Sequence, residues 1–317
     1  MKLIIQIPCY NEEKTLQVTY KDLPRLIAGI DEIETLIIND GSTDNTVEVA
    51  RKIGVNHIVS FNRNKGLARA FSAGIEKCLE LGADIIVNTD ADNQYCGQDI
   101  PKIVKPVVEG KADVVVGDRQ TNKISHFSWT KKKLQKTGSA LIRKLSNTKV
   151  ADTVSGFRAF SRDAAMRINT LTEFSYTIES LIQLGNQKQK IISVPIRTNE
   201  ELRGSRLFKS IPGFLSMQLS TILRVYATYK ALRVFTVIGL IIILPGLLGF
   251  CRFLYYYFTT GGEGHIQSLI FSTVLINIGF IVFMFGIIAD LISSNRKLIE
   301  KALYKIKKIE WDKNNED

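Results

Sequence analysis

The sequence predicts an α/β domain, a mostly parallel sheet with helices on both faces, followed by amphipathic interfacial helices and two transmembrane helices. Three observations predict it. Up to about residue 118, short β-branched runs alternate with turns and helical stretches, the pattern of strand–helix–strand units. Polar and acidic clusters recur just after the strand candidates, where such sheets bind ligands. Beyond about residue 230 the chain turns apolar, in two runs long enough to cross a ~30 Å hydrocarbon layer.

Strands are expected at 2–8, 33–39, 57–61, 84–89 and 112–117, and helices near 12–30, 45–53, 66–81 and 98–109. Four post-strand segments should line one edge: Pro8-Cys9-Tyr10-Asn11-Glu12-Glu13, Asn39-Asp40-Gly41-Ser42-Thr43-Asp44, Thr89-Asp90-Ala91-Asp92-Asn93-Gln94 and Gly117-Asp118-Arg119. The first turn lacks G-x-G-x-x-G and no G-x-x-x-x-G-K-[ST] occurs, which disfavours nicotinamide and P-loop enzymes. Asp90 and Asp92, one residue apart at a strand end, can turn both carboxylates toward one Mg²⁺ or Mn²⁺, and Gln94 can add a carbonyl oxygen. Alone, each motif has a plainer reading, an acidic turn for Asp90 and Asp92 and a helix N-cap for Ser42 or Thr43. Their combination along one edge carries the weight.

Residues 234–258 and 266–292 are the two span candidates, joined by a turn, 259–265, without Lys or Arg. Arg224, Lys230 and Arg233 precede the first, and Arg296, Lys297, Lys301, Lys305, Lys307 and Lys308 follow the second, so both flanks are expected in the cytoplasm. Arg252, beside Tyr255, Tyr256 and Tyr257, is expected to snorkel, and Asp290 to lie at the wet inner end. Residues 207–233 mix apolar and basic side chains around a Pro212-Gly213 break, suiting helices on an anionic membrane surface. An amphipathic helix covering the sheet has the same periodicity.

The net charge, 42 − 31 = +11, invites a polyanionic partner. The basic residues cluster beside the membrane segments rather than among aromatics, which disfavours nucleic acid. Cys9, Cys78, Cys96 and Cys251 form no C-x-x-C pair and no disulfide framework, as suits a reducing compartment. No basic-then-apolar leader precedes the first strand, so the first domain is expected in the cytosol.

With Pro8-x-Tyr10-Asn11-Glu12, Asn39-Asp40-Gly41-Ser42, Asp90-Ala91-Asp92-x-Gln94, Gly117-x-Arg119 and Asp152-x-x-Ser155-Gly156-Phe157-Arg158 in order, residues 1–210 resemble family 2 glycosyltransferases of the GT-A fold. Within that family they resemble the polyprenyl-phosphate enzymes typified by dolichyl-phosphate mannose synthase. The resemblance implies that Pro8, Tyr10, Glu12 and Asp40 hold the nucleoside. It implies that Asp90, Asp92 and Gln94 hold the metal on the diphosphate. Arg119 and a cation near Lys131 would receive the acceptor phosphate, and Arg206 would clamp the donor. Asp152 would be a base or an orienting group. Asp118 departs from the serine common in the family, and Lys131 and Arg206 each exchange one cation for the other.

The partners so implied are a nucleotide sugar, a polyprenyl phosphate (undecaprenyl or dolichyl) and the lipid bilayer, and a homo-oligomer is compatible with them. Asp-Asn-Gln-Tyr after Ala91, in place of the Asp-Leu-Gln-His common in mannose enzymes, favours a UDP-sugar over GDP-mannose. A lipid phosphate, with a second pKa near ~6, is already mostly a dianion and needs cations more than a base. Lys131, Lys132, Lys133, Lys136, Arg143 and Lys144 offer such a cluster, or a basic face for anionic lipid. Inverting transfer follows from in-line attack. A processive polysaccharide synthase would bring a Q-x-x-R-W-type motif, which neither Trp129 nor Trp311 supplies, and intact Asp90, Asp92 and Arg119 disfavour a non-catalytic scaffold for a flippase. The expected organisation is a catalytic domain at 1–206, juxtamembrane helices at 207–233, a transmembrane hairpin at 234–292 and a basic tail at 293–317.

Overall fold

The computed structural model describes residues 1–120, 142–143, 146, 148–169, 176–199, 231–261 and 264–314. The chain divides into two compact units, Met1–Thr221 with Leu303–Asp317, and Ile222–Ala302.

Among the described residues the first unit has seven strands: β1 Lys2–Cys9, β2 Glu32–Asn39, β3 His57–Ser60, β4 Ile85–Asn88, β5 Val114–Asp118, β6 Arg158–Ser161 and β7 Ile191–Pro195. Their order is β3-β2-β1-β4-β6-β5-β7. Only β6 runs antiparallel to its neighbours, β4 and β5. The mostly parallel sheet is therefore as expected. Its first five strands lie within two residues of the predicted positions, because each is a β-branched run bounded by turn residues.

β1 is buried from Leu3 to Cys9, as a central strand covered on both faces must be. Leu3, Ile5 and Ile7 join a core with Leu16, Ile100, Ile103 and Val104. Among the described residues the unit's helical elements include α1 Leu16–Asp22, α2 Thr46–Lys52, α3 Leu67–Glu80, α4 Ile100–Val108, α5 Arg162–Met166 and α6 Tyr176–Asn186. The helix expected over 12–30 is shortened to α1. Pro24 drives the preceding Leu23 out of the helical region (φ −70°, ψ 139°), and Gly29 is left-handed at φ +83°.

The second unit contains most of two long helices, α7 Ala231–Thr260 and α8 Ile266–Asn314. Both are long and apolar enough to cross a membrane, with mean hydropathies of 2.6 and 2.4 in their most apolar stretches. Glycines bring the helices together: a Cβ on Gly239 would lie 2.9 Å from the Gly279 carbonyl oxygen, and one on Gly279 would lie 2.3 Å from Ile243. Residues 293–314 are helical, and from Leu303 onward they belong to the first unit. There Tyr304 donates to Asp163 at 2.5 Å, Arg167 lies over the Tyr304 ring, and Arg162 lies over Trp311.

Candidate active site

The carboxyl ends of β1, β2, β4 and β5 form one edge, as the parallel register requires. The first two loops are laced together. Asn11 N donates to Ser42 Oγ at 2.9 Å, Thr43 N to Asn11 Oδ1 at 2.8 Å and Glu12 N to Thr46 Oγ1 at 2.8 Å. Asn11 is left-handed (φ +55°), which the short polar side chain tolerates. Tyr10 stays 42 % exposed at this edge, whereas Glu12 is buried and accepts from Thr15 Oγ1 at 2.6 Å.

Asp40 is buried, and its oxygens accept the backbone N–H groups of Lys65 (2.7 Å) and Gly66 (2.9 Å) at the start of α3. Gly41, at φ +69°, lets residues 63–64 pass close by: a Cβ there would sit 2.3 Å from the Arg63 carbonyl carbon. Asp40 thus shapes the edge by fixing the loop before α3.

In the loop after β4, exposure alternates: Ala91, Asn93 and Tyr95 are buried, while Asp90, Asp92 and Gln94 are partly exposed. Gln94 N donates to Asp92 Oδ1 at 3.2 Å, and Asn93 is left-handed at φ +59°. Two hard carboxylates and an amide oxygen on the accessible positions fit Mg²⁺ or Mn²⁺ that takes phosphate oxygens as further ligands. Among the described residues no three His, Cys, Asp or Glu are grouped so as to hold a metal ion by themselves.

A buried polar chain supports the loop. Gln6 Nε2 donates to Asn88 Oδ1 at 2.9 Å, and Asn88 Nδ2 donates to the Gly156 carbonyl at 2.8 Å and to Tyr176 Oη at 3.1 Å. Gly156 N donates to Tyr95 Oη at 3.0 Å. Burial pushes the Tyr95 hydroxyl up to about 12, so it stays protonated. A Cβ on Gly156 would lie 2.6 Å from Tyr176 Oη and 3.3 Å from Asp90 Oδ1, so glycine admits both groups.

Arg119 closes the site on the β5 side. Its Nε donates to Asp152 Oδ2 at 2.6 Å and its Nη2 to Asp152 Oδ1 at 3.0 Å, a bidentate pair on a buried carboxylate. The loop bearing Asp152 is held by Arg158, which is 1 % exposed and donates to the carbonyls of Thr153, Ser155 and Thr177 and to Ser180 Oγ. Beside Arg119, a cleft of about 450 Å³ is lined by Lys102, Gln120, Ile196 and Arg197.

The structure therefore gathers Pro8, Tyr10, Glu12 and Asp40 at one part of the edge, Asp90, Asp92 and Gln94 at its middle, and Arg119 with Asp152 beyond β5. Lys131 and Arg206 lie outside the described residues, as do Lys132, Lys133, Lys136, Lys144 and most of 207–233. Sequence reasoning missed Asn88, Tyr95, Tyr176 and Arg158 as the site's supports. Arg158 and Tyr95 stood in quoted motifs without a role, and Arg158 also carries a charge at the start of an apolar Ala159-Phe160 run.

The family profile described as Glycosyl transferase family 2 matches residues 4–168. The chain is 32 % identical over 216 residues to a UDP-N-acetylglucosamine–dolichyl-phosphate N-acetylglucosaminyltransferase of Methanococcus voltae, covering 61 % of this chain and 83 % of that protein. It is 27 % identical over 224 residues to an undecaprenyl-phosphate mannosyltransferase of Micrococcus luteus, covering 67 % and 90 %. Among solved structures, glucosyl-3-phosphoglycerate synthase of Mycobacterium tuberculosis, in complex with Mn²⁺, UDP-glucose and phosphoglyceric acid, shares the fold. The TM-score is 0.55 at 19 % identity, over 71 % of this chain and 79 % of that one. With this GT-A-like sheet and its family motifs at one edge, the chain belongs to glycosyl transferase family 2 and is a glycosyltransferase.

Proposed function

We propose that the chain transfers a hexose or N-acetylhexosamine, with inversion, from a nucleotide sugar to a polyprenyl phosphate at the cytoplasmic membrane face. The observation that carries this reading is the accessible row Asp90, Asp92 and Gln94 followed across β5 by Arg119 clamped on Asp152. The acceptor class is supported by relatives named for dolichyl and undecaprenyl phosphate. A UDP-sugar donor is favoured by the Asp-Asn-Gln-Tyr continuation and by the UDP-N-acetylglucosamine enzyme among those relatives. GDP-mannose is the alternative.

Asp90 and Asp92, with Gln94, would hold Mg²⁺ or Mn²⁺ against the donor diphosphate. Bound there, the ion would offset the negative charge that develops on the leaving nucleoside diphosphate. Tyr10 offers an exposed ring for the base, and the laced loops 10–13 and 40–46 fix its edge. Asp152 spends both oxygens on Arg119, which suits an orienting group rather than a base. Among the described residues two of the five guanidinium N–H donors face Asp152, and the other three would meet an acceptor phosphate. A phosphate dianion attacks the anomeric carbon without losing a proton, so no base is required of this site. Helices α7 and α8 would hold the enzyme in the bilayer where its acceptor resides, with both termini cytoplasmic.

The test is transfer of radiolabelled sugar from UDP- and GDP-sugars to undecaprenyl or dolichyl phosphate with Mg²⁺ or Mn²⁺. Label should enter the lipid phase and be lost in Asp92→Ala. Label only in polymer, or none with any donor, refutes the reading.

A further inference from the structure

We propose that Asn199 is a positioning residue: a strap leaving β7 uses it to set the 90–94 loop in the register that binds the divalent ion. The proposal rests on the metal reading above. It starts from the loop's need for outside support. Asn93 is left-handed, and the alternation that exposes Asp90, Asp92 and Gln94 survives only while the intervening residues stay turned inward. Two consecutive carbonyls of this loop are captured by one residue. Asn199 Nδ2 donates to the Asn93 carbonyl at 3.0 Å, and Asn199 N donates to the Gln94 carbonyl at 2.9 Å. From the opposite side Thr19 Oγ1 donates to the Ala91 carbonyl at 2.9 Å.

The strap is anchored before it reaches the loop. Thr198 bridges Tyr95 in antiparallel fashion, and Cys96 N donates to the Arg197 carbonyl at 3.4 Å. Asp99 is fully buried and accepts Arg197 N at 2.7 Å, Arg197 Nη2 at 2.8 Å and the Lys102 ammonium at 2.8 Å. Burial alone would raise the Asp99 pKa, but the hydrogen bonds from Arg197 and Lys102 outweigh it and hold the carboxyl below its ordinary value. A charged anchor at one end and a two-point grip at the other are more than chain connectivity requires. They immobilise the segment whose side chains would be the ligands, as outer partners do at metal sites.

The experiment uses the full-length chain in detergent and reads Mn²⁺ binding by electron paramagnetic resonance, without sugar donor. Asn199→Ala and Asn199→Leu both remove the side-chain donor, and leucine keeps the volume. Each should weaken Mn²⁺ binding about tenfold or more, the range seen when an outer partner of a metal ligand is removed. The unfolding temperature should fall by only a few degrees, since one side-chain bond to Asn93 is lost and the backbone bond to Gln94 remains. A merely space-filling role predicts that Asn199→Leu binds like the wild type, and that result would overturn the proposal, as would unchanged binding in both variants. If neither variant folds, Asn199 is a fold determinant and the proposal fails. A wild-type chain that binds no Mn²⁺ sinks the metal reading itself, a failure visible before any variant is made.

Discussion

Replacing Arg158 with methionine tests whether the site's geometry hangs on one buried cation. The guanidinium donates at 2.8 Å to the Ser155 and Thr177 carbonyls and at 3.1 Å to the Thr153 carbonyl and Ser180 Oγ. Methionine fills much of the volume but takes a charged donor from three buried carbonyls, at ~1.5–3 kcal/mol for each bond lost. Thr177 keeps the Ser180 hydroxyl at 3.4 Å. The loss is partly offset, because burial lowers the Arg158 pKa to about 10 from 12.5. At 1.36 kcal/mol per pH unit, removing a charge so disfavoured returns roughly 3 kcal/mol. With Thr177 at the foot of that range and the other two carbonyls near its middle, the net destabilisation is about 3 kcal/mol. For a unit of this size each kcal/mol moves the midpoint by ~2–4 °C, so the first unit should melt ~6–12 °C lower by scanning fluorimetry in detergent. Transferase activity should fall with it, since the 152–156 loop carries the partner of Arg119. Arg158→Lys, with one ammonium for four acceptors, should lie between. A methionine variant that melts like the wild type would refute this account of the loop.

Three further outcomes are expected. Asp152→Asn removes the charge behind Arg119; losing ~1.5–3 kcal/mol of charge-assisted bonding should lower kcat/KM for the acceptor ~10–100-fold in steady-state assays while leaving donor KM nearly unchanged. Gly41→Ala forces a left-handed alanine against the Arg63 backbone, at a cost of about 2 kcal/mol or more, read as a lower melting temperature and weaker nucleotide binding. Asp99 has a folded pKa below its unfolded value of ~3.9, so as pH falls the unfolded chain takes up the proton first. Its stabilisation is therefore complete above about pH 3.9 and disappears as pH drops through the folded value; Asp99→Asn should flatten that slope in acid-unfolding curves.

The parallel half of the sheet was legible because its strands are apolar runs that end in polar clusters, and the edge those clusters share followed from parallelism alone. β6 was not legible. It is four residues long, opens on a buried arginine and sits between β4 and β5 although it follows both in sequence, so only tertiary pairing identifies it. The supports of the site were hidden for a related reason. Asn88 and Tyr176 are 88 residues apart, and a buried amide–phenol bond leaves no periodic mark on a sequence. Asp40 carries a contact that its motif did not reveal: beside the nucleoside role its place in the chain suggests, its oxygens hold the backbone of 65–66.

The docking of Tyr304 and Trp311 against α5 bears on how the protein is made. Asp163 and its phenolic partner are 141 residues apart, and both apolar helices are synthesised between them. The catalytic unit therefore stays incomplete on the ribosome until α8 has been translated almost to its end. A nascent chain can assemble the sheet early, as domains fold in order of synthesis, but it must present an open α5 face until Tyr304 and Trp311 arrive. A gene shortened before α7 to yield a soluble enzyme would make that unfinished surface permanent, exposing Arg162, Asp163 and Arg167 to water. Supplying residues 303–317 on a short linker after residue 199 or 221 would be the more faithful way to cut this protein down.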